Sequence, residues 1–75
     1  MKLSRWMVKK RKRAADVVRE AGLAKAALSR FMNGDAMLSA ANCSKLIEYT
    51  DGEVTLKDLL AEHERNAAAA AEIAR

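Results

Sequence analysis

Ala14 to Asn33 reads AADVVREAGLAKAALSRFMN, two apolar-striped stretches hinged on one glycine. In the first stretch Val17, Val18 and Ala21 recur at helical spacing. Gly22 then supplies the residue without Cβ that a left-handed helix end requires. In the second stretch, at about 100° per residue, Lys25, Ala26, Ser29, Arg30 and Asn33 occupy an arc of roughly 140°. Ala24, Ala27, Leu28, Phe31 and Met32 fill the opposite arc. One face suits a core and the other is small, polar and basic. The spacing predicts two helices meeting across a glycine turn, the second with a hydrogen-bonding outer face.

The flanks extend the helical pattern. Upstream, Leu3, Trp6 and Met7 form a stripe separated from Val17 by the basic run Lys9 to Arg13. Two helices with a basic junction are expected there, although no Gly or Pro marks the break and one continuous helix fits the pattern too. Downstream, Ser39 is placed to cap a helix carrying Cys43, Leu46 and Ile47, with Leu38 and Cys43 at the spacing of a hydrophobic staple. Gly34 is placed to end the second motif stretch and Gly52 the helix that Ser39 opens. Thr55 with Asp58 three residues later predicts a capping box, after which Leu56, Leu59 and Leu60 are expected to face inward. From Glu62 to Arg75 the chain is Ala-rich with Ile73 as its one large apolar residue. A fraying helical tail, 62–75, is expected to follow a domain over 1–61.

Composition agrees with an all-α fold. The 75 residues include no Pro, three Gly and 16 Ala, with only about 22 larger apolar residues, so the core is thin. A single cysteine cannot form an internal disulfide, and the basic start is not followed by the apolar stretch of an export signal. No apolar run reaches the roughly 20 residues needed to cross a bilayer. A cytoplasmic setting is expected. The net charge of +4 is unevenly held: Met1 to Gly34 carries ten Lys/Arg and two acids, Asp35 to Arg75 four Lys/Arg and eight acids. A positive field on one half suits a polyanion, because basic side chains near phosphates release condensed counterions.

The motif AADVVREAGLAKAALSRFMN, with Gly22 at the turn and Val17, Leu23, Leu28 and Phe31 at apolar positions, resembles the helix-turn-helix of the phage Cro and CI repressor family. KLSRWM at residues 2–7 and LIEYTDGEVTLKDLL at residues 46–60 are similar to the flanking helices of Cro-like proteins, so the resemblance spans 2–61. It implies a compact four- or five-helix, lambda-repressor-like domain, encoded by a phage or prophage. The implied activity is repression by occupying an inverted-repeat operator in double-stranded DNA as a homodimer, with no cofactor and no catalysis. With residues 25–33 in the major groove, Lys25, Ala26, Ser29 and Arg30 are the expected base readers, Arg30 through its guanidinium fork on guanine and Ala26 against a thymine methyl. Lys10, Lys12, Arg13, Asn33 and Lys45 are expected at the phosphates. Four positions depart from the family. Val18 stands where Ala is usual, Ala24 where a capping Ser or Thr is usual, and Arg13-Ala14 where a polar cap and Gln are common. Loss of the cap costs about 1 kcal/mol.

Other features carry less. Paired carboxylates, a Gly-rich phosphate loop and a metal-ligand cluster are not visible, so neither enzymatic activity nor a small-molecule substrate is expected. His63 has no second ligand at metal spacing, and Cys43 and Trp6 read as core residues. Tyr49, Val54, Leu56 and the Ala-rich tail are the candidate dimer surface. Two other functions fit the sequence: an antitoxin-like or regulatory protein-interaction module using the acidic C-terminal half, and non-specific nucleic-acid binding through residues 9–13.

Overall fold

The computed structural model describes residues 1–73 as five helices with no strand. They are α1 (Leu3–Lys10), α2 (Ala14–Ala21), α3 (Lys25–Met32), α4 (Ala40–Tyr49) and α5 (Leu56–Ile73). The chain is an all-α domain. α3 lies between α2 and α5, α4 also packs on both of these, and α1 lies against α5. Leu3, Trp6, Val17, Leu28, Phe31, Leu46, Val54 and Leu59 build the core, and Phe31 is its largest fully buried side chain.

The helix ends are set by local chemistry. α1 and α2 are separate because Arg11 turns left-handed (φ 55°), letting the Lys12 N–H donate back to the Met7 carbonyl at 2.8 Å. A left-handed residue with a Cβ costs roughly 1 kcal/mol, so this break carries strain that the glycine ends avoid. At the start of α2 the Arg13 N–H donates to the Asp16 carboxylate at 2.9 Å, which holds Asp16 below its ordinary range. An arginine side chain has no acceptor, so only this half of a capping box forms. Ser39 accepts the Asn42 N–H at 3.2 Å, and Thr55 and Asp58 exchange bonds at 3.0 and 3.2 Å, as their spacing predicts.

The C-terminal expectation needs correction. α5 crosses position 61 without a break, so the expected boundary between 61 and 62 falls inside a helix that runs to Ile73; Ala74 and Arg75 of the expected tail lie outside the described residues. Glu62 is 3 % exposed, and its two carboxylate oxygens accept the N–H groups of Leu3 and Ser4 at 2.7 and 3.2 Å. One helix therefore caps another: the negative charge satisfies orphan donors at the positive end of α1. One turn later Asn66 Nδ2 donates to the Phe31 carbonyl at 3.2 Å. Composition hid this because the docking is polar. Of the three leucines expected inside, only Leu59 is buried; Leu56 and Leu60 are about half exposed.

Gly34 explains how α5 comes so close to α3. Its φ is 78°, and a Cβ there would strike the Asn66 carbonyl and the Ala67 nitrogen, both backbone atoms that cannot swing aside. Gly22 has the same backbone sign (φ 77°) with open space around it. Gly22→Ala should therefore cost about 1 kcal/mol, the left-handed strain alone. Gly34→Ala should cost at least twice as much, read as the difference between their urea midpoints. Equal losses would mean that α5 does not pass over this position.

Candidate nucleic-acid interface

The proposed reading face is built from the back. Leu28 and Phe31 anchor the inner side of α3 in the core, which turns Lys25, Ala26, Ser29 and Arg30 outward, all four of them exposed. Asn33 is also exposed, beside the left-handed Gly34 that ends the helix. Ala24 precedes α3 without a side-chain cap. Among the described residues no carboxylate lies within salt-bridge distance of Lys25 or Arg30, so their charge is free to act on a ligand.

The expected phosphate contacts divide into two groups. Lys10 and Arg13 are exposed and unpaired among the described residues. Lys12 is held by Glu20 at 3.0 Å, and Lys45 Nζ donates to the Gly22 carbonyl at 3.1 Å. Lys45 thus satisfies an orphan carbonyl at the turn between α2 and α3, and the cation sits at the negative end of α2. Its position beside the turn was not legible, because 23 residues separate the partners. Lys9 is likewise engaged by Glu53 at 2.7 Å. The basic run is therefore weaker as a field than its five consecutive charges imply.

A second set of contacts locks α2 to α4. The Tyr49 hydroxyl donates to Glu20 at 2.6 Å, and the Trp6 ring meets Tyr49 edge-on at 5.1 Å between centroids. The Trp6 indole N–H donates to Glu53 at 3.1 Å, so the core tryptophan keeps its polar edge satisfied. Hydrogen bonds from Tyr49 and Lys12 hold the Glu20 carboxyl below its usual range. Val54 cannot serve as expected in a dimer surface, whereas Tyr49 keeps part of its surface open. Val54 is fully buried, and the Tyr49 hydroxyl is already committed. Leu56, Leu60 and Ile73 are the exposed large apolar residues of α5.

Between the start of α2 and the length of α3 lies a groove of about 380 Å³. Lys25, Ser29 and Asn33 line it from α3, with Leu28 and Met32 beside them; Ala14, Ala15 and Val18 line it from α2. Met32 was assigned to the core arc, yet it is only half-buried. The signal was present: the helical projection puts Met32 about 20° from Lys25, at the border of the two arcs.

His63 stacks on Phe31 at 6.4 Å between ring centroids, and burial pushes the Cys43 thiol up. Among the described residues no cluster could hold a metal ion and no helix is long and apolar enough to cross a membrane. No family model, curated protein or solved structure matches the chain.

Tyr49 is the one tyrosine of the chain, so tyrosinate absorbance reports it alone. Burial first, and then the bond to Glu20, pushes its phenol up to about 12. The folded value lies above the unfolded value of about 10, so this contact stabilises fully below pH 10 and is lost as pH rises towards 12. Glu20→Gln should move the titration part of the way back towards 10, leaving the contribution of burial. An unshifted curve would place Tyr49 away from Glu20.

Proposed function

We propose that the chain binds double-stranded DNA sequence-specifically, with α3 in the major groove, and acts as a Cro-type repressor by occupying its operator. The observation that carries this reading is the two-sided build of α3. Its inner residues are sealed in the core, and its outer face offers Lys25, Ser29 and Arg30 without acidic partners among the described residues. α2 precedes it across the three-residue turn Gly22–Leu23–Ala24, which is the connection a helix-turn-helix uses. The resemblance to phage repressors supports the same assignment.

The roles divide by geometry. Arg30 takes the O6 and N7 of a guanine, while Lys25 and Ser29 meet neighbouring base edges. Lys10 and Arg13 meet phosphates where the first motif helix crosses the backbone. A helix of eight residues reads few base pairs, so two copies act on an inverted repeat with their α3 helices about 34 Å apart. One copy measures 37 × 24 × 21 Å, a size that lets two sit side by side at that spacing. Leu56, Leu60 and the Ala-rich end of α5 are the apolar surface left for the partner copy.

Selection of genomic fragments by the purified protein should yield a symmetric consensus. On that duplex Arg30→Ala should reduce discrimination against random DNA by about 1–3 kcal/mol. Equal loss on cognate and random duplex would make Arg30 a phosphate contact. Arg13→Ala should lower the salt slope of binding by about 1 on every duplex. Lys12→Ala should lower it less, because Glu20 already offsets that charge; equal slopes for the two variants would contradict the pairing.

A further inference from the structure

The groove between α2 and α3 has apolar walls on a face whose charge suits a polyanion. Ala15, Val18 and Met32 supply the apolar surface, and Val18 and Met32 each keep part of theirs open. Lys25 and Ser29, one turn apart, border it with a charge and a hydroxyl, and no acid lines it. A donor beside an apolar floor matches one base edge in the major groove. Thymine alone presents an O4 acceptor next to a C5-methyl group. The positive border matches the negative strand that carries that base. The walls also belong to both motif helices, so the groove opens where the strand crossed by α2 meets the bases read by α3.

We propose that this groove seats a thymine methyl, packed on Ala15, Val18 and Met32, while the Ser29 hydroxyl donates to O4 of the same base. The proposal rests on the DNA-binding reading and deepens it: the operator carries a thymine in each half-site at the position facing Ser29. Val18, the departure from the usual small residue, then has a use, since it provides floor where Ala would leave depth. Ala26, about 60° further round the helix from Ser29, is not the methyl contact.

The test uses the full chain and the duplex obtained by selection. Each consensus thymine is replaced in turn by deoxyuridine, which removes the methyl and nothing else. One replacement per half-site should weaken binding roughly fourfold, the worth of one buried methyl-sized group. Val18→Thr keeps the volume but adds a hydroxyl to the floor, and should bring that ratio close to one. Ala15→Gln, at an exposed position where folding is not at stake, should do the same by filling the groove. Specific binding with no deoxyuridine effect anywhere would overturn the groove assignment and leave the DNA-binding reading standing. A ratio that survives both variants but disappears in Ala26→Ser would also overturn it, giving the methyl to Ala26. Should Ala15→Gln change self-association of the free protein and not the ratio, the groove belongs to a second copy. Absence of any selected sequence would sink both readings together.

Discussion

The seam between α3 and α5 orients the rest of the molecule. Phe31 fills the centre of the core, its carbonyl accepts from Asn66, and Gly34 lets the backbone of α5 pass where a side chain would collide. These contacts fix the rotation of α3 about its own axis. With Leu28 and Phe31 inward, Lys25, Ser29 and Arg30 have no direction left but outward. The length of α5 matters for the same reason. Its Glu62 holds the start of α1, and its Asn66 holds the end of α3, so one helix ties the first and third helices to a common frame.

Intramolecular pairing sorts the basic residues into two populations. Lys9, Lys12 and Lys45 spend their donors on Glu53, Glu20 and the Gly22 carbonyl. These are partly exposed contacts, each worth little on its own. Together with the Tyr49–Glu20 bond they set the position of α2 and of the turn that follows it. Among the described residues, Lys2, Arg5, Lys10, Arg11, Arg13, Lys25 and Arg30 of the first half make no salt bridge. The +8 of the first half is thus partly engaged within the chain.

What was legible in the sequence was whatever local spacing encodes. The glycine ends, the Ser39 cap, the Thr55–Asp58 box and the inner stripe of α3 all follow from residues within four positions of each other. Tertiary polar contacts left no such trace. Glu62 reads as one more charge in an Ala-rich helix, yet it is buried because the start of α1 presents two unpaired N–H groups to it. Arg11 carries no sign of a left-handed residue; the break there is imposed by the need of Leu3, Trp6 and Val17 to reach one core. Leu56 and Leu60 show the converse. Their helical spacing is correct, but the inward stripe of α5 runs through Leu59, Glu62 and Asn66, and Leu56 and Leu60 both lie to one side of it.

The two faces of α3 also have separate consequences for change. Eight residues without a side-chain cap would not hold a helix in water by themselves, so α3 owes its existence to the burial of Leu28 and Phe31. Lys25, Ala26, Ser29 and Arg30 add almost nothing to that stability, and substitutions at such exposed positions usually stay within about 0.5 kcal/mol. The outer face can therefore be substituted without endangering the fold. Val18 and Met32 are the exceptions. Each is packed against the core on one side and open to the groove on the other, so a change that alters what the groove accepts also alters how α2 and α3 pack. Under the proposed DNA-binding reading, specificity at that one position is coupled to the packing of α2 on α3.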